Sequence, residues 1–341
     1  MTGHRSAPAF LVQGVAGGLV LLAALAIGAG VGETAIPPDV VLKAVANRLW
    51  AAGYPVDPID EGVIWSYRLS RTLMAACCGA GLAVSGVVLQ SLLRNPLADP
   101  YVMGISAGAS TGAVAVSLLG VGGGLVSMSA GALAGALLAF GFVILLALKA
   151  GRSPVMVVLA GVAGSQLFNA ITSFIVARSA NAEQARGILF WLLGNLSGVR
   201  WPDVGLALPV VLAGLALCLW HARVLDAFLF GSSSAAALGV SVRRVWITLI
   251  GASAVMTAVM VAMVGSIGFV GLVVPHAVRL VAGVSHARLL PLSALCGAVF
   301  LIIADVVSRA LITGQVVPIG VVTALVGAPV FALLLIRGRA T

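Results

Sequence analysis

The sequence predicts an all-α protein, a polytopic membrane helical bundle of about ten transmembrane helices per subunit. Three observations lead there. Of 341 residues, 61% are hydrophobic and only 9% charged, against roughly 25% charged in an average soluble domain. Too few charges remain to cover a water-exposed surface. The apolar residues also fall into long blocks, the first of which, 9–31, contains one polar side chain, Gln13. Such a block is long enough to cross a hydrocarbon core of about 30 Å as a helix. Backbone groups in lipid must be hydrogen-bonded within their own segment, so repeated apolar blocks mean packed helices.

Taken in order, ten spans are predicted: 9–31, 64–92, 101–119, 125–148, 155–177, 203–222, 244–265, 270–283, 289–310 and 318–336. The first follows Met1-Thr2-Gly3-His4-Arg5, is too long for the apolar region of a signal peptide and has no small-residue cleavage site, so it is expected to be a retained helix. Residues 32–66 hold Pro37, Pro38, Pro55 and Pro58 and are expected to form a loop, with Trp50 and Trp65 as interface anchors. Span 64–92 exceeds what a bilayer requires and should tilt or protrude. In the next two spans, Gly104, Gly108 and Gly112, and then Gly131 and Gly135, recur every fourth residue, a spacing that lets helix backbones approach closely. Residues 223–243 connect two spans. Their run Gly231-Ser232-Ser233-Ser234-Ala235 predicts a short helix capped by serine, a docking element for something soluble. Span 270–283 is short, follows a Gly-rich turn and should cross only part of the membrane.

The net charge of +9 would suggest nucleic acid as the partner of a soluble protein. Here the charges sit between apolar blocks and serve as topology signals. With the N-terminus inside, the inner side holds Arg5, Arg94, Lys149, Arg152, Arg223, Arg243, Arg244, Arg279, Arg288, Arg337 and Arg339, with Asp99 and Asp226 as its acids. The outer side holds Lys43, Arg48, Arg68, Arg71, Arg178, Arg186, Arg200 and Arg309, with Glu33, Asp39, Asp57, Asp60, Glu61, Glu183 and Asp203. The excess of Lys and Arg inside favours this orientation.

Several residues suggest chemistry. Gly104-Ile105-Ser106-Ala107-Gly108 matches the nucleophile-elbow pattern, but lies on an expected membrane helix. Its candidate partners are His276 and Asp305, so an intramembrane serine hydrolase is a minor alternative to glycine-mediated packing. His4, His221, His276 and His286 form no paired metal motif, and no metal site is predicted. Cys77, Cys78, Cys218 and Cys296 are expected to be small buried hydrophobes. Asp305 is the acid deep in an apolar block, a position that defaults to function. Arg309 stands one turn later, at the spacing of an intrahelical pair. No further acids lie in other spans, which weighs against an ion- or proton-coupled carrier. No Gly-x-x-x-x-Gly-Lys-[Ser/Thr] loop is present, so any ATP that drives this chain must bind a partner.

Taken together, the ordered motifs resemble a known family. They are Arg68-Leu69-Ser70-Arg71; residues 81–90, Gly-Leu-Ala-Val-Ser-Gly-Val-Val-Leu-Gln; Asn95-Pro96-Leu97-Ala98-Asp99-Pro100; residues 104–109; residues 265–276, ending Val274-Pro275-His276; Arg288-Leu289-Leu290-Pro291; and residues 318–329. Across nearly the whole chain these resemble the FecCD-type permeases, the type II ABC importers that include the vitamin B12 permease. The resemblance implies a single transmembrane permease domain over 1–341 and a homodimer in a bacterial inner membrane. It implies two ATPase subunits on the cytoplasmic side and a periplasmic substrate-binding protein outside. ATP and Mg would bind the ATPase, this chain would hold no cofactor, and the substrate would be haem or a ferric siderophore, the wording being nearest the haem permeases. The resemblance places Arg68, Arg71 and Arg309 as exposed guanidiniums that receive the binding protein's carboxylates. Asn95, Pro96, Leu97 and Ser153 fall at a cytoplasmic gate. The ATPase coupling helix falls on 231–239, with Gly231, Ser232, Ser233, Ala235, Leu238 and Gly239. Serines follow Gly231 where the family commonly has an acid, and Ser266 replaces a usual proline.

Overall fold

Hydrocarbon-length helices stand where the apolar blocks predict them. The computed structural model describes residues 7–32, 36–151, 153–178, 182–312 and 314–337. Arg5, Glu33, Arg152 and Arg339, used in the charge count, lie outside these residues. Helix α1 runs Ala7–Gly30. After α2 (Pro38–Trp50), α3 (Pro58–Gly62) runs through a π-helical stretch, Val63–Leu69, into α4 (Ser70–Leu92). A 3₁₀ turn at Pro100–Met103 leads to α5 (Ile105–Leu119). Then come α6 (Met128–Ala150), α7 (Pro154–Ala177), α8 (Ala182–Leu192) and α9 (Trp201–Trp220). Two short helices, α10 (Ala222–Phe228) and α11 (Ser232–Ala237), precede α12 (Val242–Val264). The chain closes with α13 (Val270–Ala282), α14 (His286–Ala310) and α15 (Ile319–Arg337). Six of these stretches are long and apolar enough to cross a membrane, and four shorter apolar helices complete the predicted set.

Helix α4 is the central post. It packs against α14, α12, α9 and α13, and nearly every one of its residues is buried. Small residues permit this crowding: a β-carbon on Gly79 would collide with the Gly297 carbonyl of α14. The predicted glycine ladder closes the α5–α6 pair in the same way, because a β-carbon on Gly112 would strike the Gly131 carbonyl. Close backbone approach replaces the hydrophobic driving force that lipid cannot supply. Helix α13, with 13 residues, extends about 20 Å at 1.5 Å per residue, less than a hydrocarbon core of about 30 Å.

The structure corrects the sequence reading in four places. Among the described residues of the segment expected to be a loop, 36–66 are largely helical. Pro38 and Pro58 occupy the first helical positions of α2 and α3, where a missing N–H costs nothing, and the Asp57 carboxylate accepts from Ile59 N at 2.7 Å. Val41, Ala44 and Ile64 form a small apolar cluster there with Ala29 and Ile36. Trp65 is not a free anchor: its ring lies 4.8 Å from Trp201, and its carbonyl accepts from Trp201 Nε1 at 3.0 Å. The predicted span 203–222 breaks at His221, between α9 and α10. Cys296 is exposed while the other three cysteines are buried; it lines an apolar hollow among α1, α13, α14 and α15.

Candidate functional site

At the outer end, so named from the charge count, two of the sequence-predicted arginines converge on one carboxylate. Arg71 Nε lies 2.8 Å from Asp305 Oδ1, and Arg309 Nη2 lies 3.0 Å from Asp305 Oδ2. Arg71 Nη1 also donates to Ser197 Oγ at 3.0 Å. Arg68 Nη1 donates to Gly30 O at 2.7 Å, and Arg309 donates to Val31 O and, at 3.1 Å, to Gly28 O. These carbonyls end α1, where the last turn has no intrahelical donors and attracts cations. The three arginines are only 5%, 9% and 8% exposed. The expectation of exposed guanidiniums is therefore corrected: they are spent on capping α1 and on neutralising Asp305, which is 1% exposed. The predicted Asp305–Arg309 pair is present, with Arg71 as an added member. Two guanidiniums, those of Arg71 and Arg309, thus share the one Asp305 carboxylate.

Nearby, Arg200 lies 4.4 Å from the Tyr67 ring centroid, a cation–π contact that fastens the start of α9 to the π-helical stretch. Such stretches recur at functional sites, and this one contains Arg68.

Ser106, on the first turn of α5, hydrogen-bonds Ser266 through its hydroxyl. Asp305 is committed to arginines, so the Ser106–His276–Asp305 set considered from the sequence does not assemble. Ser266, the departure from the family's proline, is thereby placed against α5.

At the inner end, α4 gives way to the predicted gate segment. Arg94 adopts a left-handed backbone, φ +49°, which turns the chain. Asn95 N donates back to Gln90 O at 3.1 Å. The Asn95 side chain accepts from Leu97 N at 2.9 Å, a local turn that leaves Pro96 and Leu97 exposed. Asp99 accepts from Tyr101 N at 2.8 Å and so starts the 3₁₀ turn; burial pushes its carboxyl up to about 6. Tyr101 Oη in turn accepts from Ile267 N at 2.9 Å, tying this segment to the turn before α13. Ser153 caps α7 by accepting from Met156 N at 3.2 Å.

The predicted coupling segment forms α11, but its cap differs from expectation. Gly231, at φ +106°, is the capping residue and makes no side-chain bond. The serines lie inside the helix, and Ser234 Oγ bonds back to Phe230 O at 3.0 Å. Gly231 and Ala235 are buried and seat the helix, whereas Ser232, Ser233, Leu238 and Gly239 are exposed. Leu238 is 74% exposed and Phe230 78%, so an apolar rim flanks a short polar helix. Arg94 lies beside it: a β-carbon on Gly231 would stand 3.5 Å from Arg94 Nη1.

The sequence profile of the FecCD transport family matches residues 19–337. This chain belongs to that family. It is 45% identical over 288 residues to the cobalamin import system permease protein BtuC of Halobacterium salinarum, covering 84% of this chain and 76% of the relative. It is 39% identical to the Fe(3+) dicitrate transport system permease protein FecD of Escherichia coli, covering 85% of this chain and 89% of that one. Among solved structures, an inward-facing metal-chelate type ABC transporter superposes with a TM-score of 0.81 at 32% identity, over 95% of this chain and 98% of the other.

Within this FecCD-family chain, three structural features escaped the sequence reading. Phe230 was hidden in the apolar run Ala227-Phe228-Leu229-Phe230, though its place just before Gly231, outside any span, was a usable signal. Arg71 and Asp305 are 234 residues apart, and no local pattern announces their pairing. The histidine at the start of α14 and the acid of α10, read singly as His286 and Asp226, form one cluster.

Proposed function

We propose that this chain is the membrane-spanning permease of an ATP-binding-cassette importer in a bacterial inner membrane. It works as a homodimer, with two ATPase subunits gripping residues 231–239 from the cytoplasm and a periplasmic binding protein delivering cargo outside. The observation behind this is the exposed helix α11, rimmed by Phe230 and Leu238, on a chain that has no nucleotide-binding loop. Gly231 and Ala235 fix the helix to the bundle, and Ser232, Ser233, Leu238 and Gly239 face the ATPase. The serine run makes this contact neutral rather than acidic, and Phe230 and Leu238 supply its apolar rim.

Substrate crosses by alternating access. ATP closes the partner dimer, α11 moves with it, and the inner mouth at Asn95, Pro96, Leu97 and Ser153 opens or shuts. Arg71 and Arg309, two guanidiniums on the single Asp305 carboxylate, together with the neighbouring Arg68, would draw an acidic binding-protein surface to the outer end, giving orientation and on-rate. Direct carboxylate pairing there requires the end of α1 to yield its share of the guanidiniums. The cargo is a metal chelate of the haem, cobalamin or ferric-siderophore class, with haem the candidate carried from the sequence. The cobalamin and ferric dicitrate permeases among its relatives support the class.

The test is the reassembled transporter in lipid vesicles, offered haem, cobalamin and a ferric siderophore on their binding proteins. A loaded binding protein should raise ATP hydrolysis and drive uptake of one of the three. Replacing 231–239 by a flexible linker should abolish uptake while the permease still assembles; retained uptake would refute the coupling role.

A further inference from the structure

A hydrogen-bonded chain runs from the coupling segment into the gate. Asp226 lies on α10, which only residues 229–231 separate from α11. Its Oδ1 accepts twice from the start of α14: from the His286 backbone N at 2.8 Å and from His286 Nδ1 at 2.7 Å. A carboxylate from one helix thus caps another, satisfying one of the orphan donors at the N-terminus of α14. With Nδ1–H given to the carboxylate, the neutral ring presents Nε2 as an acceptor. Ser91 Oγ stands 2.6 Å from that nitrogen. Ser91 is in the last turn of α4, beside Gln90, whose side chain holds α13 through Gly271 O at 3.0 Å and also receives Arg279. Gln90 O accepts from Asn95 N, the first residue of the gate motif.

The order acid, imidazole, serine is that of a hydrolytic triad, but the setting is not. Ser91 is 4% exposed and His286 1%, and the Ser91 hydroxyl is also within 2.7 Å of Val87 O. A nucleophile needs an open face toward substrate, and this one is enclosed by helices. A buried polar chain with its partners in place instead rigidifies what it joins. Asp226 is the one member with a partly exposed side chain, at 36%, on the side of α11.

We propose that Asp226, His286 and Ser91 are positioning residues that transmit movement of the coupling helix to the inner gate. Displacing α11 pulls α10. The Asp226 carboxylate drags the N-terminus of α14, and His286 conveys the shift to the last turn of α4, from which residues 94–98 hang. Because α14 and α4 pack backbone to backbone where Gly79 meets Gly297, the pair moves as one body. The inference rests on the importer reading above.

The experiment measures substrate moved per ATP hydrolysed by the purified permease–ATPase–binding-protein complex in vesicles, for Asp226→Ala, Asp226→Asn, His286→Ala and Ser91→Ala. Asp226→Asn keeps an acceptor for both His286 N–H groups and should stay within twofold of the unmodified complex. The three alanine variants should keep ATP hydrolysis yet lose about fivefold or more in substrate per ATP, and Asp226→Ala combined with Ser91→Ala should lose no more than either alone. Should Asp226→Ala or His286→Ala fail to assemble, Ser91→Ala, which removes one hydroxyl, decides. An unchanged ratio in Ser91→Ala and Asp226→Ala overturns the inference. So does a parallel loss of hydrolysis and uptake, which would place the residues in ATPase docking. An unmodified complex that moves none of the three chelates would remove the importer reading itself, and this inference with it.

Discussion

Asp305 holds two guanidiniums at the outer end, and its removal would leave Arg71 and Arg309 buried without a counter-charge. Breaking one side of a buried ion pair costs about 3–5 kcal/mol. Asp305→Ala should therefore lower the thermal midpoint of the detergent-solubilised protein sharply, and an unchanged midpoint would show that the cluster is not what secures α1. The spacing of Asp305 and Arg309 made half of this cluster legible; Arg71 became a partner only when α4 and α14 packed. The same limit applies to Asp99. Its motif marked the gate region, but only burial reveals its chemistry. The folded carboxyl titrates near 6, above its ordinary 3.8, so the folded state holds the proton more tightly than the unfolded one. Asp99 then weakens the fold above pH 6, and that penalty fades as pH falls from about 6 toward 4. The protection of the amides of residues 98–104 against hydrogen exchange, taken relative to their intrinsic rates, should rise over that interval, and Asp99→Asn should flatten the dependence. Equal pH dependence in the two proteins would contradict it.

Among the elements, long apolar helices were the most legible, because ten blocks of hydrophobic residues have few alternatives in lipid. The outer helices were not. In α2, prolines that suggested a loop stand at helix starts, and the helix is short and mixed in polarity. Helix α8 was passed over because Glu183, Gln184 and Arg186 hide an amphipathic pattern between two spans. In α11 the serine run predicted a helix correctly but a cap wrongly, since Gly231 takes the position whose backbone only glycine adopts readily. The glycine ladder makes a prediction at this scale. Gly112→Val would force α5 away from α6 and cost about 1–3 kcal/mol or more, whereas Gly141→Ala, with nothing within 4 Å, should change stability by less than about 0.5 kcal/mol. Thermal unfolding of both variants checks the contrast; equal effects would mean that the close approach does not hold these helices together.

For the molecule as a whole, the two ends divide the work. The outer end is a buried arginine–carboxylate cluster that caps α1, and the inner end carries an exposed, apolar-rimmed helix beside the turn at Arg94. The sequence disclosed the family through the order of its motifs, while the identity of the cargo stayed illegible because nothing in the charge or histidine pattern decides between one chelate and another. The most direct measurement is chelate uptake into sealed vesicles that contain this chain, with and without its ATPase partner and ATP. Uptake is predicted only when the partner, the binding protein and hydrolysable ATP are all present. Chelate accumulation with this chain alone, or with a partner unable to hydrolyse ATP, would contradict the account.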